Sequence, residues 1–151
     1  MYNLDNIIPQ KPPMRFIDKI ADFEKNIVHC QATITDSHMF FCHDKKSIPH
    51  WVALEIMAQT AATYGKLKDN DIDGQPIVAF LLSARNYTTS VSQYAQNSVL
   101  DIYAECIILD NGTGVFNCMI KINNYETASV TINAHQPKNA DDAKRIITRS
   151  I

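Results

Sequence analysis

No apolar run in these 151 residues approaches the roughly 20 needed to cross a bilayer, so a helical membrane span is excluded. The first residues, Met1-Tyr2-Asn3-Leu4-Asp5, lack the basic and apolar regions of a secretory signal, and a cytoplasmic location is expected. No C-x-x-C pair is present. Cys30, Cys42, Cys106 and Cys118 are scattered and read as free thiols, mostly small buried apolar residues. An excess of one charge is missing too: 14 Lys and Arg oppose 16 Asp and Glu, for a net charge of −2. With no basic stripe carrying interleaved aromatics, neither nucleic acid nor a membrane surface is an expected partner. Internal repeats and low-complexity segments are also absent.

What remains is a composition of 46% hydrophobic and 20% charged residues, that of an ordinary globular chain able to bury one core. After an apolar patch at Leu4 to Ile8, three prolines within Pro9-Gln10-Lys11-Pro12-Pro13 forbid regular helix and make a rigid, extended entry. Met14 to Phe23 then reads as a first strand. Period-2 alternation, the mark of half-buried strands, places Val28, Cys30, Ala32 and Ile34 on one face. The same pattern gives Leu100, Ile102, Ala104, Cys106 and Ile108; then Phe116, Cys118, Ile120 and Ile122; then Ala128, Val130, Ile132 and Ala134. Asp110-Asn111-Gly112-Thr113-Gly114 and Asn123-Asn124 supply residues that tolerate positive φ, so the last three strands form a hairpin-linked meander. Ile77 to Leu82 fits a central strand covered on both faces.

One helix stands among the strands, from Pro49 to Tyr64, with Pro49 at its start and Ser47 as a candidate cap. It is apolar almost all round, which predicts burial. Glu55 and Gln59 are its only polar residues of any length, and at spacing i, i+4 they share a face. One helix among antiparallel strands packs most economically as an α+β domain with the sheet curled around it, leaving sheet edges that invite dimerisation. Residues 1–137 make that domain, and 138–151 a polar tail with a short helix at Ala140 to Arg149.

Several motifs resemble the hot-dog-fold 3-hydroxyacyl-[acyl carrier protein] dehydratases. Ile7 to Asp18 resembles that family's L-L-P-H-R-x-P-x-x-x-I-D opening, with Gln10 in place of His. Phe40-Phe41-Cys42-His43 is similar to the stretch where a Phe pair precedes the catalytic His. Pro49 through Gln59 matches P-G-x-x-x-x-E-A-x-A-Q at Pro49, Glu55, Ala58 and Gln59. Pro49-His50-Trp51 followed by Met57-Ala58-Gln59 is similar to the divergent aryl-polyene-type dehydratase subunits. The likeness spans nearly all of residues 4–137. Two departures stand out. Phe41 occupies the position fourteen before Glu55 where the family usually carries its His, with His43 and His38 on either side. His50 replaces the Gly after the helix-start Pro.

The resemblance implies dehydration of 3-hydroxyacyl thioesters to trans-2-enoyl thioesters, in fatty-acid or polyene-type lipid synthesis, without metal or organic cofactor. That reaction needs a base at Cα, an acid for the leaving hydroxyl, and donors for the enolate-like oxygen. The resemblance implies Glu55 as the acid and His43 or His38 as the base, with His50, Trp51 and Gln59 lining the substrate path and Gln59 orienting Glu55. The free N–H groups of the helix start suit the donor role. A Glu on a buried helix would have its pKa raised by desolvation. His38, Cys42, His43 and His50 match no standard zinc spacing. The implied partners are acyl carrier protein or an acyl-CoA thioester, and a second hot-dog subunit in a homodimer or heterodimer. Lys11, Arg15, Lys45, Lys46, Lys66, Lys68 and Arg85 either meet an acidic carrier or are solvated surface. Two other readings stand beside dehydration: a thioesterase or isomerase using the same Glu, and a non-catalytic partner that binds acyl chains.

Overall fold

A computed structural model describes residues 1–149. A 3₁₀ turn (Leu4–Asn6) precedes β1 (Lys19–Glu24), β2 (Ile27–Thr33) and β3 (Ser47–Pro49). Helices α1 (Val52–Ala62) and α2 (Tyr64–Lys68) follow, then β4 (Phe80–Thr89), β5 (Gln93–Ala95), β6 (Val99–Asp110), β7 (Thr113–Ile122), β8 (Tyr125–His135) and α3 (Ala140–Arg149). Six strands form one antiparallel sheet in the order β1-β2-β6-β7-β8-β4, and β3 pairs with β5 in a small second ladder. Helix α1 packs on β2, β6, β7 and β8, so the sheet curls around it as the hot-dog resemblance implies. No described helix is long and apolar enough to cross a membrane.

The meander forms where Asn and Gly permit it. Asn111 and Gly112 have φ of 49° and 79° between β6 and β7, and Asn123 and Asn124 have 50° and 68° between β7 and β8. These are the positive values that two-residue hairpin turns require. The alternating faces point inward: Val28, Cys30, Ala32, Ile34, Leu100, Ile102, Ala104, Phe116, Cys118, Ile120, Val130 and Ile132 are all buried against the helix. From α1 they meet Val52, Ile56 and Met57, also buried. All four cysteines are free thiols.

Five local expectations change. The first strand begins at Lys19, because Met14 to Ile17 are drawn off to pack against α1. Ile108 is exposed: the register of β6 slips between Cys106 and Ile108, and one extra residue turns the next side chain outward. The run at Ile77 to Leu82 opens the edge strand β4, not a central one, and leaves Leu81 and Leu82 exposed in the single chain. Ser47 lies buried in β3, and Trp51 stands at the N-cap of α1 without a side-chain capping bond. The short strands β3 and β5 carry too few residues for alternation to register. The C-terminal helix lies where the sequence placed it; Ser150 and Ile151 of the tail are outside the described residues.

Candidate functional site

The outward stripe of α1 carries the site. Trp51 and Glu55 are exposed on it and Ala58 and Ala62 half-buried, while the other faces of the helix sit in the core. Gln59 is 1% exposed and fully engaged. Its Nε2 donates to Glu55 Oε1 and to the Met14 carbonyl, each at 2.9 Å, and its Oε1 accepts the Phe16 N–H at 2.8 Å. One buried amide therefore ties the N-terminal segment to the helix and holds one oxygen of Glu55. The other oxygen, Oε2, makes no hydrogen bond among the described residues. Burial of Glu55 within its own chain, expected from the apolar helix, does not hold: the polar stripe lies on the side that the sheet leaves open.

Glu55 borders a cleft of about 80 Å³ between the N-terminal segment, α1 and the start of β4, whose walls include Pro9, Gln10, Ala58, Phe80 and Leu81. A larger cavity of about 310 Å³ lies beyond it, toward α2 and the β6–β7 hairpin. Ala62, Ala79 and Ala134 line both, so small side chains separate the two spaces.

No histidine makes a hydrogen bond or ion pair with this carboxyl among the described residues. The ring of His38 lies 4.5 Å from Phe16, and its Nδ1 accepts the Phe40 N–H at 3.1 Å. The proton of the neutral ring then belongs on Nε2, which is buried and without a hydrogen-bond partner among the described residues. Burial pushes the His38 pKa down, and the negative charge of Asp18 offsets part of that. His43 is exposed, edge-on to Phe41 at 5.1 Å.

His50 marks the helix start. Its N–H donates to the Ser92 carbonyl at 3.3 Å, and the Tyr87 hydroxyl donates to its carbonyl at 2.9 Å while lying 3.3 Å from its Nδ1. With the His50 N–H engaged, the Trp51 N–H is the next one at this helix end, and it has no partner among the described residues. Tyr87 went unnoticed in the sequence, since one Tyr on a strand carries no pattern. Trp51 meets Phe40 edge-on at 5.1 Å. Of the cations considered for a carrier surface, Lys66 is only 4% exposed and pairs with Asp71 at 2.8 Å, and the Arg15 guanidinium pairs with Asp5. Neither is free surface charge.

A curled antiparallel sheet around one helix, with a carboxyl on the helix's open stripe, defines a hot-dog-fold protein. The chain belongs to the ApeP-like family, described as ApeP dehydratase, which matches residues 2–147. It is similar over 95% of its length to a chain of the dehydratase heterocomplex ApeI:P from Xenorhabdus doucetiae, covering 96% of that chain, at 26% identity and a TM-score of 0.85. An uncharacterized thioester dehydrase, BH1850 from Halalkalibacterium halodurans, is 24% identical over 86 residues, 55% of this chain. The chain spans about half the length of that curated relative, 54%. A hypothetical thioesterase from Streptococcus pneumoniae, solved with coenzyme A, shares the fold alone at 12% identity and a TM-score of 0.59, over 78% of this chain and 86% of that one.

Proposed function

We propose that this chain is the glutamate-bearing subunit of a cytoplasmic dehydratase that converts 3-hydroxyacyl thioesters on acyl carrier protein into trans-2-enoyl thioesters, in fatty-acid or polyene-type lipid synthesis. The observation that carries the reading is the setting of Glu55. Its carboxyl is held at one oxygen by a buried amide and free at the other, with Leu81 on the cleft wall and Trp51 one helical turn away, both exposed in this chain. Exposed apolar groups around a single carboxyl suit a surface completed by another subunit. The base is then a histidine of a second hot-dog subunit; the similarity to a chain of the ApeI:P heterocomplex supports a different partner over a second copy presenting His43 or His38.

In the assembled site the partner's imidazole takes the Cα proton, and the electron pair moves toward the thioester carbonyl. The Trp51 N–H, at the positive end of α1, stabilises the charge that gathers on that oxygen. Glu55 gives the proton on Oε2 to the 3-hydroxyl, the C3–O bond breaks, water leaves and the double bond closes. The acyl chain lies along Ala58 and Ala62 toward the larger cavity, with His50, Trp51 and Gln59 bordering its path.

The test is to incubate a 3-hydroxyacyl carrier-protein thioester with this chain alone, with a hot-dog subunit of the kind paired with ApeP, and with both. Enoyl formation only in the mixture is expected. Release of free thiol instead would identify a thioesterase, and turnover by the other subunit alone at the mixture's rate would leave this chain a non-catalytic partner.

A further inference from the structure

Eleven residues line the Glu55 cleft, and only Gln10, Glu55 and Gln59 among them have polar side chains. Gln59 has nothing left to offer, since its two amide hydrogens and its oxygen are taken by Met14, Glu55 and Phe16. Gln10 differs. Its Oε1 is buried, and neither end of its amide makes a hydrogen bond among the described residues. A buried acceptor without a donor is destabilising unless something else supplies the proton. The backbone around it is fixed, not slack: Pro9 precedes it, and Arg15 Nε donates to the Gln10 carbonyl at 3.0 Å. The cleft thus has apolar walls and two uncommitted polar groups, the Gln10 amide and Glu55 Oε2.

We infer that Gln10 is the residue that recognises and orients the substrate's 3-hydroxyl. The inference rests on the dehydratase reading above and adds a role that reading does not contain. A hydroxyl in this cleft has one hydrogen to donate and lone pairs to accept with. Donating that hydrogen to Gln10 Oε1 turns a lone pair toward Glu55 Oε2, so the acid's proton arrives on an oxygen already aligned to leave as water. A saturated acyl thioester has no group for Gln10, so the residue distinguishes 3-hydroxyacyl chains from saturated ones of equal length.

The experiment uses the active two-subunit assembly, a 3-hydroxyacyl carrier-protein thioester as substrate, and the saturated thioester of the same length as competitive inhibitor. Gln10→Leu, similar in size but apolar, should lower kcat/KM roughly 10–100-fold, as loss of one well-placed hydrogen bond does. The inhibition constant of the saturated thioester should stay within about twofold, because nothing that ligand uses has changed. Gln10→His, which restores an acceptor, should recover most of the loss. Turnover by Gln10→Leu close to wild type would overturn the inference. So would an equal weakening of substrate and saturated inhibitor, since a merely structural role acts on both. A wild-type assembly that fails to dehydrate overturns the parent reading itself, and is seen before any Gln10 variant is compared.

Discussion

The Gln59 side-chain nitrogen stands 2.9 Å from Oε1 of Glu55, one helical turn away, and the same amide grips residues 14 and 16 of the N-terminal segment. Stability and function thus meet in one side chain. Gln59→Leu leaves the Phe16 N–H and the Met14 carbonyl without their partner, and should destabilise the fold by about 1–3 kcal/mol. Urea unfolding measures this. The same variant should lower turnover, because Glu55 loses its hold; an unchanged midpoint would show that the N-terminal segment is anchored elsewhere.

His38 gives a pH dependence whose sign follows from its surroundings. Burial lowers its folded pKa below the ordinary 6.5, so below that value the unfolded chain binds more protons than the folded one. Its stabilising contribution is complete above pH 6.5 and is lost as pH falls through that value toward the folded pKa. Thermal melts taken from about pH 7.5 down to about pH 5 should fall less steeply for His38→Phe than for the parent protein. Equal slopes would remove His38 as the source.

These two groups illustrate what was legible beforehand. The helix, Val52–Ala62, is shorter than its apolar run, with Pro49 taken into β3 and Tyr64 opening α2. The Glu55–Gln59 pair, the three-strand meander and both hairpin turns follow from short-range periodicity and turn chemistry, and they stand as read. Residues whose neighbours are distant in sequence did not. Nothing local tells that Phe16 is called to Gln59 rather than into a strand, or that a bulge after Cys106 exposes Ile108. The apolar run at β4 misled for a related reason: Leu81 and Leu82 are apolar although no part of this chain covers them. The resemblance pointed to the right family, whereas none of the candidate histidines bonds to Glu55 among the described residues.

Chain length should be set where the cleft meets the larger cavity. Ala62 borders both spaces, so Ala62→Phe fills the passage between them. Turnover of short 3-hydroxyacyl thioesters should persist while that of long ones falls by an order of magnitude or more, as expected when a chain no longer fits its pocket. Loss of equal size for every length would place the acyl path elsewhere.

The cysteines offer a check on the packing itself. Burial pushes the thiols of Cys30 and Cys118 up to about 12, and raises that of Cys106, whereas Cys42 sits half-buried beside β3. Iodoacetamide at about pH 8 should modify Cys42 first in the folded protein, because alkylation needs thiolate and access. Early labelling of Cys30 or Cys118, read by peptide mass spectrometry, would contradict a core closed around α1.

The central claim is that the carboxyl of Glu55 does chemistry. Glu55→Gln keeps the size and the hydrogen-bonding reach of the side chain but has no carboxyl proton to give. In the two-subunit assembly, enoyl-thioester formation by this variant should fall by roughly 10²–10⁴-fold, the usual worth of a positioned acid, with an unchanged thermal midpoint. Turnover within a few-fold of the parent assembly would contradict the account.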